Sequence, residues 1–260
     1  MKKLRTVKYI QDESIAVITI NRPDAMNSFN EALRSDLLFA FNYASEDQTI
    51  KAIILNGNGR NFSAGADLKD TNDSEKSLQE ILNKEYRPIF DSISNAEKPV
   101  IASIHGSAAG IGLSLALNCD LLIMAEDAFL LAPFTTISLA PDGGMNWFLV
   151  NQLGYRRAFQ LCIESERIEA KYCIEHGLAN KMVAPEKLHK ETIQWAKSLT
   201  KRAPLSVRAT KKIMRHANSS SWAKTYDMEV PIQQALIDSE DFQEGVSAFL
   251  EKRDPKFKDR

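Results

Sequence analysis

Short segments of almost entirely apolar residues recur through the first half of the chain, and they limit the fold more than any other feature. They are rich in Ile and Val and end at Gly, Pro or charged residues, as strands do when a sheet is covered on both faces. The four segments are 14-SIAVITI-20, 51-KAIILNG-57, 98-KPVIASIHG-106 and 120-DLLIMAE-126. Helical patterns lie between them, and in residues 28–46 the spacing of Ser28 and Glu31 is that of a capping box. The alternation predicts an α/β fold.

The pattern changes near residue 186. Apolar residues there follow helical spacing, and no strand is predicted after about residue 184. We therefore predict a core over 1–185 that carries the functional site, and a C-terminal helical oligomerisation region over 186–260. Trailing helices of this kind pack either on a neighbouring subunit or back on their own chain.

Charge and cysteine content exclude several classes of partner. Lys and Arg number 33 against 34 Asp and Glu, so no net field favours nucleic acid or an anionic membrane. The three cysteines lack C-x-x-C spacing, which disfavours a disulfide framework or a zinc site. Charged residues interrupt the start of the chain before a signal-peptide core could form, and the longest apolar run, 111–125, is shorter than the roughly 20 residues of a membrane span. These features predict a soluble cytoplasmic protein.

Two glycine-containing loops follow predicted strands, 57-GNGRNFSAGADL-68 and 106-GSAAGIGLSLAL-117. Glycine at such points lets the backbone approach a ligand, although such glycines on their own are more typical of ordinary turns. The second loop lacks the dinucleotide-binding fingerprint, because Leu115 stands where the third glycine is required. It also lacks a nucleophile elbow, because Ser107 stands one position too early.

Asp142 is the most informative single residue. It lies in 138-SLAPDGGMNW-147, after a proline and before two glycines. Asp is a preferred N-cap, so one interpretation is that Asp142 starts the helix predicted over 143–154. The other interpretation is that this lone carboxylate, among apolar neighbours, exchanges a proton with a ligand.

Four stretches in this order and spacing resemble the enoyl-CoA hydratase/isomerase (crotonase) superfamily. The resemblance covers essentially the whole chain. It implies a spiral of β-β-α turns with C-terminal helices that assemble homotrimers, often paired into hexamers. The stretches are 61-NFSAGADL-68, the run 98–134, 138-SLAPDGG-144 and 173-CIEHGLANKMV-183.

The resemblance also implies roles for individual residues. The backbone N–H groups of Ala66 and Ile111 would form an oxyanion hole for the thioester oxygen of an acyl-CoA. No metal is implied, and no cofactor beyond the CoA moiety of the substrate. The residues that would lie along the CoA are Ala25, Ala64, Asp67, Leu68 and Gly110.

Two departures from the family pattern are as informative as the matches. Hydratases of the family use two glutamates, and the matching positions here hold Ser114 and Phe134. Neither side chain can activate water or deliver a proton to carbon. Asp142 stands where the isomerase branch carries its single acid/base residue, in a context that resembles the phenylacetate-pathway enoyl-CoA isomerases. Those proteins more often read D-x-G-G-T-W where this chain reads D-G-G-M-N-W, so the loop and the substrate are expected to differ in detail.

The sequence therefore predicts an acyl-CoA isomerase that shifts the double bond of a 3-enoyl-CoA or a ring-containing acyl-CoA such as a phenylacetyl-CoA derivative. Asp142 would move the proton while Ala66 and Ile111 hold the enolate oxygen. Two alternatives stay open: an enoyl-CoA hydratase or thioesterase-like hydrolase with water positioned by Asp142, and a non-catalytic acyl-CoA-binding protein. The predicted partners are the acyl-CoA and further copies of this chain.

Overall fold

A computed structural model describes residues 3–73 and 76–260. Its strands form two sheets. The larger has the order β1-β2-β3-β4-β6-β9 and is parallel except for the antiparallel pair β1 and β2, and the smaller has the order β5-β7-β8. The strands are β1 Val7–Asp12, β2 Ile15–Ile20, β3 Ala52–Gly57, β4 Val100–Ile104, β5 Ser107–Ala109, β6 Leu121–Ala125, β7 Phe129–Leu131, β8 Arg167–Glu169 and β9 Lys181–Val183.

The four apolar segments form the centre of the larger sheet, as β2, β3, β4 and β6. All five residues of β4 are buried, as expected for a central parallel strand covered on both faces. The β-strand predictions for these segments are confirmed. The sequence pattern did not predict β1, nor the short strands β5, β7 and β8, which are too short to show a period.

Helices α1 and α9 pack on this sheet, so the predicted α/β class is confirmed. Helix α1 begins one residue after Asn30, whose side chain accepts a hydrogen bond from Leu33 N at 3.0 Å. The proposed capping box of Ser28 and Glu31 is therefore wrong. The helices are α1 Glu31–Glu46, α2 Leu68–Asp73, α3 Leu78–Ile81, α4 Arg87–Asn95, α5 Ile111–Asn118, α6 Met145–Leu153, α7 Tyr155–Glu164, α8 Ala170–Glu175, α9 Leu188–Thr200, α10 Pro204–Ala217, α11 Trp222–Ile237 and α12 Glu240–Glu251.

The C-terminal helices differ in how they contact the core. Helix α9 packs on β2, β3, β4 and β6, and Thr192 in its buried face lies 2.9 Å, hydroxyl to hydroxyl, from Ser103 of β4. Helix α10 is held to the core by ion pairs, with Lys211 Nζ and an Arg215 guanidinium nitrogen each 2.7 Å from the Asp120 carboxylate. The boundary between 185 and 186 stays a prediction. In the part of the chain that the structure describes, no helix combines the length and apolarity needed to cross a membrane.

Candidate active site

The two glycine loops lie against each other. Ala109 N donates a hydrogen bond to Ser63 O at 2.9 Å, which joins the end of β5 to the first loop. Gly65 and Gly110 both have positive φ, +99° and +54°. A Cβ on Gly110 would lie 3.6 Å from Gly65 Cα, and a Cβ on Gly65 would lie 3.0 Å from Ala109 O. The positive φ favours glycine at both positions, and at position 65 the short distance to Ala109 O favours it further.

This contact brings together two backbone N–H groups, those of Ala66 and Ile111. Ile111 is the first residue of α5, so its N–H has no acceptor within the helix. On either side of Ala66 the N–H groups are used: Gly65 N donates to Ser63 Oγ at 3.2 Å, and Asp67 N donates to Phe29 O at 3.0 Å. Neither Ala66 N nor Ile111 N meets an acceptor among residues 3–73 and 76–260. Two adjacent free donors, one at a helix N-terminus, suit a developing oxyanion.

Asp142 does not cap the helix that follows it, so the capping interpretation is wrong. Helix α6 begins after Gly144, which occupies the cap position with φ +85°. Gly143, with φ +62°, adds a second left-handed residue between Asp142 and the helix. The Asp142 backbone carbonyl accepts a hydrogen bond from Met145 N at 3.1 Å, so its backbone, not its carboxylate, closes this turn.

The Asp142 loop is fastened to α5. Ser114 Oγ donates to Asp142 O at 2.8 Å, and Asn118 Nδ2 donates to Gly143 O at 3.1 Å. A Cβ on Gly143 would lie 2.8 Å from Ile111 Cδ1. The loop that carries the carboxylate is therefore docked beside the first turn of α5, where the Ile111 N–H is free.

Burial makes the Asp142 carboxyl a weaker acid than an exposed aspartate. It raises the pKa of Asp142 from its ordinary 3.8 to about 6, because the charged form loses solvation. Asp142 Oδ1 is buried and has no hydrogen-bond partner among the described residues. A carboxyl group with a pKa near the working pH can both accept and return a proton.

The two positions that correspond to the hydratase glutamates are buried. Ser114 is fully buried on α5, where its hydroxyl donates a hydrogen bond to the backbone carbonyl of Asp142. Phe134 is 7% exposed and begins the short 3-10 turn Phe134–Ile137. The sequence identifies Ser114 as a departure from the hydratase pattern, but spacing along the chain carries no signal for its contact with the Asp142 loop.

The residues expected along the CoA lie near one another. Met26 O, next to Ala25, accepts a hydrogen bond from Ala64 N at 3.0 Å, and Leu68 is 53% exposed. The Asp67 carboxylate pairs with the Arg22 guanidinium at 3.0 Å. Partial burial acts to raise the pKa of Asp67, but Arg22 outweighs it and the pKa is lowered. The CoA-binding roles of these residues stay predictions.

The family model described as "Enoyl-CoA hydratase/isomerase" matches residues 11–260. The chain belongs to this family. Among solved structures, the enoyl-CoA hydratase from Bacillus anthracis superposes with a TM-score of 0.93 at 29% identity, covering 98% of this chain and 100% of that one. The expected crotonase fold is thereby confirmed.

Curated relatives of the family carry both kinds of name. A protein of Rhodobacter capsulatus named "Probable enoyl-CoA hydratase" is 36% identical over 98% of each chain. The "Trans-2-decenoyl-[acyl-carrier-protein] isomerase" of Streptococcus mutans is 32% identical over 97% of this chain and 98% of the relative. The "1,2-epoxyphenylacetyl-CoA isomerase" of Escherichia coli is 32% identical over 95% of each. The chain is thus an enzyme of the hydratase/isomerase superfamily.

Proposed function

We propose that this protein is an acyl-CoA isomerase that moves a double bond along the acyl chain. Asp142 removes a proton from C2 of a 3-enoyl-CoA or a ring-containing acyl-CoA, and the electron pair of that C–H bond moves into a thioester enolate. The N–H groups of Ala66 and Ile111 hold the enolate oxygen. The enolate then collapses, C4 takes the proton back from Asp142, and the carboxylate is regenerated. CoA enters as part of the substrate, and the proposed reaction uses no other cofactor.

One observation carries this proposal: the half-buried Asp142 carboxyl, with a pKa of about 6, lies on a loop that is hydrogen-bonded to α5, the helix that begins with Ile111. A 1,3-proton shift needs only one group that takes a proton and gives it back. Hydration needs one group to activate water and another to protonate carbon. Ser114 and Phe134 leave the two corresponding positions without an acid or a base.

Some relatives are named hydratases and others isomerases, so the proposal depends on the residues of the site. The relative at 36% identity is named a hydratase, and two relatives at 32% are named isomerases. The residues at positions 114, 134 and 142 favour isomerisation. Water addition, thioester hydrolysis and binding without turnover remain the alternatives, and a panel of 2-enoyl-CoA and 3-enoyl-CoA substrates separates all of them.

Asp142→Asn tests the proposal. Asn cannot accept and return a proton, so we expect isomerase turnover to fall roughly 100- to 10,000-fold. Affinity for a saturated acyl-CoA should stay within a few-fold, because the Ala66 and Ile111 N–H groups are unchanged. The matched control is Asp127→Asn in the exposed turn between β6 and β7, which should leave turnover unchanged. Near-normal turnover of Asp142→Asn, or crotonyl-CoA hydration at rates typical of enzymes, would contradict the proposal.

We also propose that the protein is a homotrimer or a dimer of trimers. Large apolar side chains are exposed on α11 and α12, including Trp222 at 80% and Phe249 at 83%. Exposed apolar side chains grouped on neighbouring elements indicate a surface that another copy covers. The resemblance to the enoyl-CoA hydratase/isomerase superfamily, which implies trimers, supports this assembly. The proposal includes no nucleic acid or membrane partner.

A further inference from the structure

The direction of the Ala66 N–H depends on a backbone contact with Phe29. The Gly65 carbonyl belongs to the same peptide group as the Ala66 N–H, and it accepts a hydrogen bond from Phe29 N at 2.8 Å. In a trans peptide the carbonyl and the N–H point in opposite directions, so this bond turns the Ala66 N–H away from Phe29. Asp67 N donates to Phe29 O at 3.0 Å and adds a second bond. This two-bond bridge therefore aims one of the two oxyanion donors.

The side chain of Arg34 holds this bridge from helix α1. Its Nη1 atom donates to Phe29 O at 3.4 Å and lies 3.2 Å from Asp70 Oδ2. Phe29 forms one side of the bridge, and Asp70 lies in α2, which begins two residues after Ala66. The same Asp70 oxygen accepts a hydrogen bond from Glu31 N at 3.1 Å, at the start of α1. One guanidinium nitrogen thus joins the segment before α1 to the helix that follows the oxyanion donor.

The Arg34 guanidinium is itself fixed on its other side. Its Nε lies 2.7 Å from Glu85 Oε2, and its plane lies over the Tyr86 ring, 5.3 Å from the centroid. Burial acts to raise the pKa of Glu85, but Lys76 and Arg34 outweigh it and the pKa is lowered, so this carboxylate stays charged. Only 3% of Arg34 is exposed. The guanidinium therefore has little freedom to move relative to the segments it binds.

A buried cluster of this kind affects geometry more than net stability. Desolvation of the charges offsets much of their attraction, so the net gain in stability is small. The planar fork of arginine, however, offers donors in fixed directions and orients the groups that it binds. Here those groups are two carboxylates and one backbone carbonyl, which belong to three different segments.

We propose that Arg34 is a positioning residue for the oxyanion hole. By binding Phe29 O and Asp70 with one fork, it fixes the direction in which the Ala66 N–H points. Arg34 does not touch the substrate and acts only through this N–H, whose hydrogen bond to the enolate oxygen weakens steeply when it is misaligned. The inference rests on the oxyanion hole of the proposed function and is independent of the role of Asp142.

Arg34→Lys tests the inference, because it keeps the positive charge and removes the fork. We expect kcat on a 3-enoyl-CoA to fall about 10- to 100-fold, less than the roughly 100- to 1,000-fold that follows when an oxyanion donor is removed outright. The dissociation constant of a saturated acyl-CoA should change by less than about threefold, because the hole stabilises the enolate more than the ground-state carbonyl.

The stretching frequency of the bound thioester carbonyl gives a readout without turnover. Hydrogen bonds from the oxyanion hole polarise this carbonyl and lower its frequency. Infrared difference spectra of a saturated acyl-CoA with an isotope-labelled carbonyl should show this shift on binding to the wild-type protein. The shift should be smaller on binding to Arg34→Lys.

Two further variants complete the test. Arg208→Lys is the matched control, since Arg208 also bridges two carboxylates, those of Glu97 at 2.9 Å and Asp259 at 3.1 Å, but from α10. It should keep both turnover and the carbonyl shift. Asp70→Asn removes one ion pair of Arg34, while its side-chain oxygen can still accept from Glu31 N. It should change turnover and the carbonyl shift in the same direction as Arg34→Lys, and it carries the test if Arg34→Lys does not fold.

The outcomes separate a positioning role from a purely structural one. A structural role alone predicts that the folded variants unfold at lower urea concentration but keep normal turnover and a normal carbonyl shift, and this result would overturn the inference. Lost turnover with an unchanged shift would overturn it as well. The absence of any shift in the wild-type protein would contradict the oxyanion hole and so both proposals. Normal turnover of Asp142→Asn together with a reduced shift in Arg34→Lys would contradict only the role of Asp142 and still support that of Arg34.

Discussion

The two glycines after Asp142 allow a stringent test of how the loop is held. Both have positive φ, +62° at Gly143 and +85° at Gly144, so alanine at either position places an L side chain in the left-handed region. Their surroundings differ. A Cβ on Gly143 would lie 2.7 Å from Ser114 Cβ and 2.8 Å from Ile111 Cδ1, whereas the nearest atom to a Cβ on Gly144 is Phe148 Cε2 at 3.5 Å.

The expected losses of stability follow from these distances. The left-handed backbone costs about 1–2 kcal/mol at either position. Gly144→Ala adds only an ordinary van der Waals contact, so its free energy of unfolding should fall by about that amount. Gly143→Ala adds overpacking against Ser114, whose Cβ is fixed on α5, at a further cost of about 1–3 kcal/mol. The total for Gly143→Ala is therefore about 2–5 kcal/mol.

Activity should separate the variants more clearly than stability. Relief of the clash moves the Asp142 carboxylate relative to the Ile111 N–H, and small displacements of a catalytic group are costly. We expect turnover of Gly143→Ala to fall at least about tenfold, and that of Gly144→Ala to stay within about threefold of the wild-type rate. Urea unfolding and steady-state kinetics on a 3-enoyl-CoA measure the two effects. Equal loss of stability or activity in the two variants would refute the reasoning.

Three further predictions concern the pH dependence of activity, the pH dependence of stability, and assembly. Asp142 must be ionised to take a proton, so kcat/KM should fall about tenfold for each pH unit below about 6; a flat profile from pH 5 to 8 would contradict this role. Because folding raises the Asp142 pKa from 3.8 to about 6, thermal unfolding should show the wild-type protein losing stability relative to Asp142→Asn as pH rises between these values. Light scattering at micromolar concentration should report a trimer or hexamer, and a monomer would contradict the proposed role of α11 and α12.

The sequence predicted the strands that are buried on both faces and failed at features set by contacts between segments distant in sequence. β2, β3, β4 and β6 are continuous apolar runs, which few other structures explain. The three-residue strands β5, β7 and β8 leave no such pattern, because their pairing depends on segments distant in sequence. Helix α1 starts after Asn30 and not at Ser28, since the chain first pairs Phe29 with Ala66.

The same distinction holds for the site. Asp142, Ala66 and Ile111 could be named because the family pattern fixes their order and spacing, and the structure brings their loops into contact. The cap interpretation of Asp142 failed because Gly143 and Gly144 take left-handed conformations that delay the helix to Met145.

The contact of Ser114 with the Asp142 loop constrains how this chain could have evolved. The Ser114 hydroxyl holds the Asp142 carbonyl, and its Cβ occupies the space next to Gly143. A glutamate at position 114, as the hydratase pattern requires, would supply one acid. It would also remove the Ser114 hydroxyl that holds the loop carrying the other acid, Asp142. Substitutions at contacting positions are non-additive. On the proposed function, an evolutionary path between the two chemistries cannot proceed through independent single steps: positions 114, 134 and the loop after Pro141 have to change together, or pass through intermediates that do neither reaction well.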